Sequence, residues 1–393
     1  MTHRVIGDIV PLGSLLETPP KNGYSPICPN ESTGKWVLGL SALSERRLDL
    51  SAAKPAPLDE PRVDRFLLHP GDFLISRSNT LDKVGKVGVF RGGLNNCSYP
   101  DLMMRFRPDT SKILPDYLEV FLRSEATVKY IKSRATGTSG SMKKINQATV
   151  EAIPILLLKP NAQKKIAAIH TTWDTAIEET ERLIEAKEKR LSWLIKSLIE
   201  NRCEHWEHLR VGKMFASISE KHNGDEDLLS VTQDRGVIPR TMLQGRVMSP
   251  EGSTDSYKLI KKGDFAISLR SFQGGIEYSR YQGLISPAYT VLRPRLKIDD
   301  EFYRHFFKSY LFIEKYLNIA VIGIRDGKQI SIPDFMTVKI PYPSLEQQQQ
   351  IAETLNTARQ EIDLLKKQAE AYRKQKRGLM QKLLTGKWRV NVD

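Results

Sequence analysis

The sequence predicts a mixed α/β (α+β) chain: two pseudo-symmetric globules joined by two long antiparallel α-helices forming a coiled coil. Three observations carry that expectation. The phrase GDFLISRS at 71–78 returns as GDFAISLRS at 263–271, 192 residues later. Residues 163–199 align without a gap on residues 348–384, at an offset of 185. In both aligned stretches the apolar residues recur at steps of three and four. Self-similarity at a near-constant interval marks repeated structural units, and that spacing marks a helical seam.

In the first globule Gly71-Asp72 reads as a turn opening an Ile/Phe-rich strand that ends at Arg77 and Ser78. In the second, Gly263-Asp264 opens the same kind of strand, ending at Arg270 and Ser271. Each strand is followed by a segment of helical spacing, over 116–132 and 301–317, and then by a glycine-bearing polar loop. Those loops are TGTSGSMKK at 136–144 and GIRDGKQIS at 323–331, which share a register at the 185 offset. Proline announces each long helix, in IPILLLKP and in IPYPSLEQQQQ, where it suits the entrance of a helix and not its interior. The later seam runs Ile351, Leu355, Ala358, Ile362, Leu365, Ala369, Tyr372, Leu379, Leu383, and the helix stops at Thr385-Gly386-Lys387. At ~40 residues each helix spans roughly 60 Å. So narrow a seam is unstable alone in water, so the two helices are expected to pack on each other. Trp193, Ile195 and Met380 fall off the seam and are expected to be exposed for partners.

Length and composition fit a soluble chain of two or three domains: 393 residues, 40% hydrophobic, 27% charged. The longest apolar run, 153–158, is too short to span a bilayer, and the first ten residues lack the parts of a signal peptide. Three scattered cysteines, Cys28, Cys97 and Cys203, imply no disulfide framework, and a cytoplasmic location is the default. The net charge is +14. The first long helix, 161–200, is neutral and the second, 346–388, carries +4, which leaves +10 largely to the globules. Basic excess attracts polyanions, so nucleic acid is expected there.

Catalytic motifs are missing. There is no GxGxxG after a strand and no Asp/Asn-Pro-Pro-aromatic run. Gly323 to Lys328 has three residues between its glycines where a phosphate loop needs four, and Gln329 follows the lysine where Ser or Thr is required. CEHWEH (203–208) lacks a fourth metal ligand and reads as a linker. Glu119 near Pro115-Asp116 has no lysine at the spacing of a nuclease carboxylate pair, and the segment reads as a helix start. A duplicated enzyme repeats its catalytic residues. This chain repeats glycines, strands and helices. It is expected to perform no catalysis and to bind no metal.

The phrases LLSVTQDRGVIPR (228–240), ISLRSFQGGIEYSRYQGLISPAYTVLRP (267–294), IPYPSLEQQQQIAETL (340–355) and GDFLISRSNTLDKVGKVGVF (71–90) carry a family resemblance. With the duplicated helices, the chain resembles the specificity subunit of type I restriction–modification systems over essentially its whole length. The first helix entrance, KPNAQKKIAAI, departs from the family's acidic-Gln-Gln pattern. The resemblance implies target recognition domain 1 at 1–158, a central conserved helix at 159–200, target recognition domain 2 at 201–343, a distal conserved helix at 344–388 and a tail at 389–393. It further implies binding of double-stranded DNA at an asymmetric bipartite site, one half per recognition domain. Two modification (methyltransferase) subunits and restriction (motor/nuclease) subunits are the implied partners. S-adenosylmethionine, ATP and Mg belong to those partners, with no cofactor on this chain. The alternative is a structural coiled-coil protein that binds nucleic acid without sequence preference, or binds only protein.

Arg and Lys read guanine, Asn and Gln read adenine, and Ser and Thr help to hold phosphates. By that chemistry the DNA-binding candidates in the first globule are Arg77, Ser78, Asn79, Ser139, Ser141, Lys143 and Lys144. In the second they are Gln233, Arg235, Arg270, Gln273, Arg325, Lys328 and Gln329. Tyr278, Tyr281 and Tyr289 are expected in the core or on a sheet face.

Overall fold

The computed structural model describes residues 7–44, 47–137, 142–221, 225–243, 254–268, 274–323 and 329–391. The chain divides into two compact units, one of Met1–Glu179 with Ala369–Asp393, the other of Thr180–Gln368.

In the first unit a four-stranded antiparallel sheet is built from β1 (Leu16–Asn22), β2 (Phe73–Ser76), β3 (Val87–Val89) and β4 (Met103–Pro108), in the order β1-β4-β2-β3. In the second unit β5 (Phe215–Ile218), β6 (Phe265–Ser268), β7 (Glu277–Tyr278) and β8 (Tyr289–Pro294) take the order β5-β8-β6-β7. The two orders are the same once renumbered. The fold is duplicated, as the repeated phrase predicts.

That phrase repeats for a reason visible at atomic level. Asp72 and Asp264 are each 2% exposed, and each carboxylate accepts the backbone N–H three residues before it, from His69 and Lys261, both at 2.8 Å. Each also holds an arginine from the neighbouring strand: Arg107 Nη2 and Arg293 Nη2 both lie 2.8 Å from it. The glycine before it takes φ +94° at 71 and +90° at 263, a left-handed turn that glycine adopts without strain. The aromatic after it, Phe73 or Phe265, is wholly buried. Turn, charge anchor and core residue are thus fixed by three consecutive positions.

The segments of helical spacing come out differently from expectation. Residues 116–132 are divided between helices Pro115–Leu122 and Glu125–Arg134, because Ser124 turns extended (ψ 150°) and caps the second through Thr127 N–H. In the other unit Asp300–Phe306 is helical, then a wide turn runs over Phe312–Tyr316 and a tight one over Leu317–Ala320.

The long helices are α1 (Pro160–Ile195), extended by a π-helical turn to Glu200, and α2 (Leu345–Leu384). Each contributes to both units. In the first unit the start of α1 meets the end of α2: Trp173 packs edge-on against Tyr372 with ring centroids 5.7 Å apart, and Lys376 pairs with Asp174. In the second unit the end of α1 meets the start of α2, with Lys187–Glu361 and Lys366–Glu188 ion pairs at 2.6 Å. The packing is therefore antiparallel in each. Met380, Leu383 and Leu384 bury themselves in the first unit's core beside Ile166, so the C-terminal end of the chain completes the N-terminal globule.

This packing corrects two expectations of exposure. Met380 is 7% exposed within that core, and Ile195 is half-buried against the core of the second unit. Both sit where the helix meets a globule as well as its partner helix, which seam spacing alone does not register. Trp193, by contrast, is 64% exposed.

Candidate nucleic-acid interface

In the first unit β2 ends at Ser76, one residue before the expected Arg77, and beyond Arg77 a short strand, Ser78–Asn79, meets the polar loop. Lys143 pairs with Asn79 and Lys144 with Ser78 in an antiparallel ladder, while Ile145 N–H donates to Arg77 O at 2.9 Å. The same loop closes on itself through Thr136 and Lys144. The structure thus brings Arg77, Ser78, Asn79, Lys143 and Lys144 onto one small patch. Lys144 is exposed, Arg77, Asn79 and Lys143 are partly so, and Ser78 is buried. Arg77 Nη1 rests on Asp101 O at 3.3 Å, and Lys143 Nζ on Gly137 O at 2.6 Å. Ser139 and Ser141 lie outside the described residues.

In the second unit Gln233 and Arg235 are exposed at the tip of the hairpin joining Leu229–Thr232 to Gly236–Pro239. Arg235 N–H donates to the Thr232 hydroxyl at 3.2 Å, and its guanidinium reaches Met242 O at 3.1 Å. Gln329 is exposed on a separate two-strand ladder, where it pairs with Ile322 as Ile330 pairs with Val321. At the 185 offset Gln329 answers Lys144, but the pairing differs by one residue: Thr136 faces Lys144 in the first unit, whereas Val321 faces Ile330 in the second. Arg270, Gln273, Arg325 and Lys328 lie outside the described residues.

Sequence reasoning missed the lysine behind this hairpin. Lys308, just past helix Asp300–Phe306, donates to Gln233 O at 3.0 Å, to Gly274 O at 2.8 Å and to the Glu277 carboxylate. Burial raises the Glu277 carboxyl above its ordinary range, opposed by the Lys308 ammonium beside it. No local motif signals Lys308, because all three of its acceptors are remote in sequence. The aromatic expectation is met: Tyr278 is in the core, while Tyr281 and Tyr289 pack on a smaller apolar cluster.

The CEHWEH segment is structural. His208 Nδ1 faces Trp206 O at 2.9 Å and Nε2 faces the Tyr316 hydroxyl at 3.2 Å, while Cys203 is buried under the same tyrosine. Among the described residues, no cluster of three His, Cys, Asp or Glu is placed to hold a metal, and no helix is long and apolar enough to cross a membrane.

A family model described as type I restriction modification DNA specificity domain matches residues 206–371, a stretch containing all of the second sheet and the start of α2. Residues 206–371 are thus similar to a type I DNA specificity domain. The resemblance extends further. A Methanocaldococcus jannaschii chain assigned to a type I restriction enzyme as its MjaX specificity subunit is 25% identical over 404 residues, covering 95% of this chain and 91% of the relative. The EcoKI specificity subunit of Escherichia coli is 30% identical over 149 residues, 37% of this chain and 32% of its own. The solved specificity (S) subunit of M. genitalium shares the fold at a TM-score of 0.57 and 17% identity, covering 98% of this chain and 97% of that one. The HsdS subunit of Thermoanaerobacter tengcongensis shares it at 0.51 and 16%, with 99% of each chain covered. The expected likeness to type I specificity subunits therefore holds across nearly the whole chain.

Proposed function

We propose that this chain is the DNA sequence-recognition subunit of a type I restriction–modification complex, each unit reading one half of an asymmetric bipartite duplex site. The observation that carries the reading is the duplicated recognition fold, conserved in architecture and divergent in its loops. The Asp–Arg anchor, the sheet order and the entry to the long helix are the same in both units. The loop residues that would face DNA are different: Asn79 and Lys144 in one, Gln233, Arg235 and Gln329 in the other. Two unlike readers on one chain call for two unlike half-sites.

The chain itself carries out no bond chemistry on this reading. Methylation and cleavage belong to partner subunits, two modification subunits and the restriction subunits, which would bring S-adenosylmethionine, ATP and Mg. The fold is shared with a chain from a study of type I complex assembly and conformational transition, at a TM-score of 0.56 over 96% of this chain, which supports the assembly role. Trp193 offers an apolar side chain for such contacts.

Selection of bound duplexes from a randomised library tests the proposal against charge-only binding. The complex should enrich two short fixed blocks separated by an unread gap, and keep that preference as salt rises. Enrichment of nothing, with affinity falling steeply in salt, is the behaviour of a basic coiled-coil protein without a sequence code.

A further inference from the structure

Resting on that reading, we infer that Lys308 is a positioning residue for the half-site read by the second unit. An ammonium group has three donors, and here all three are used: Gln233 O, Gly274 O and the Glu277 carboxylate. These acceptors belong to three different pieces of chain. Gln233 is at the hairpin tip, Gly274 lies between β6 and β7, and Glu277 is on β7. The lysine side chain is 27% exposed and the Glu277 side chain 7%, so the junction is largely shielded from competing water.

The neighbouring backbone leaves little slack. Gly275 takes φ +81°, and a Cβ there would stand 2.1 Å from Phe307 O. The segment 274–276 is therefore pressed against the end of the helix that presents Lys308. At the tip itself Arg235 N–H is tied to the Thr232 hydroxyl. The side chains of Gln233 and Arg235 are both exposed at the tip, the Arg235 guanidinium resting on Met242 O. Lys308 grips the backbone of one of them and leaves its amide side chain available.

The first unit carries a different residue at this point. At the 185 offset Lys308 falls on Arg123, whose Nη2 pairs with Glu119 Oε1 at 2.8 Å on its own helix. Lys308 and its three acceptors all belong to the second unit, so loss of the tie should be felt in one half-site only.

The test uses the whole complex and the variants Lys308→Met/Glu277→Gln and Lys308→Arg. The double variant removes the tie without leaving a buried, unpaired carboxylate. Bound-library selection is read for each half-site separately, alongside hydrogen exchange at the amides of residues 233–236. The double variant should relax base preference at one or more positions of one half-site by at least ten-fold, keep the other half-site unchanged and speed exchange at 233–236. Lys308→Arg should recover much of the preference. Unchanged preference in both halves, or equal loss in both, overturns the inference. A wild-type complex with no site preference at all overturns the recognition reading itself and the inference with it, an outcome distinct from a variant that behaves like wild type.

Discussion

The backbone N–H of Leu114 donates to Gln163 Oε1 at 2.8 Å, and Gln163 Nε2 donates onward to Leu158 O at 2.7 Å. At the 185 offset Asp299 N–H donates to Gln348 Oε1 at 2.8 Å, and Gln348 Nε2 to Pro343 O at 2.8 Å. Both glutamines sit in the first turn of a long helix, and both are buried. Each latches its helix to the start of a short helix, Pro115–Leu122 or Asp300–Phe306, and to the end of the strand that precedes the long helix, Pro154–Leu157 or Lys339–Tyr342. Gln163→Leu or Gln348→Leu would leave a buried amide and a buried carbonyl without partners, a loss of about 2–4 kcal/mol. Urea unfolding of each variant checks the figure.

The Asp72 and Asp264 anchors should be equally costly to break. Asp264→Ala removes the buried partner of the Arg293 guanidinium, leaving it Glu220 at 2.6 Å, and frees the Lys261 N–H, and so should cost about 3 kcal/mol. Asp72→Ala, losing the pair with Arg107, should cost a similar amount in the first unit. Thermal denaturation of the two variants would show the loss.

Leu383, near the end of α2, is 3% exposed in the core of the first unit. Leu383→Ala should destabilise that unit by about 2–5 kcal/mol. Limited proteolysis should then cut within residues 7–179 first. Protection of that region in the variant would speak against the placement of the helix end in this core.

Stability should fall on acidification through two histidines, one half-buried (His170) and one buried (His305). Burial holds His170 down to about 4, helped by the Lys376 ammonium and opposed by Asp174. Burial holds His305 down to about 3, with Arg304 adding to the effect and the Asn356 hydrogen bond opposing it. In the unfolded chain histidine titrates near 6.5. Between that value and the folded values the unfolded state binds more protons, so stability declines as pH drops from about 6.5 towards 4. His305→Gln should flatten part of that decline in a series of melting curves.

Much of this fold could be read from the sequence because it is written twice. The GDF phrase marks a turn, an anchor and a core residue, and the glutamines of the latches stand at matching positions in the aligned helices. The anchor's arginines could not be read, since Arg107 and Arg293 reach Asp72 and Asp264 only after the sheet has formed. Nor could the burial of Met380, which depends on the end of α2 packing on a globule some 200 residues away in sequence. The break at Ser124 was hidden because an apolar periodicity of 3.6 runs through it, while the cap that stops the helix is a local hydrogen bond. For the interface, the correspondence of the two loops was legible, but the pairing of Lys143 with Asn79 and Lys144 with Ser78 was not, because it forms only when the loop folds back beside the strand. The tie made by Lys308 was invisible, being assembled from three remote segments.

The measurement that bears most directly on the central claim is a genome-wide map of methylated adenines, in cells holding this chain and its methyltransferase partner. The control lacks this chain. A new two-part motif with a fixed unread gap, present only with the chain, is the expected result. No new methylation, with both proteins soluble and associated, would contradict the assignment of the two units as readers of DNA.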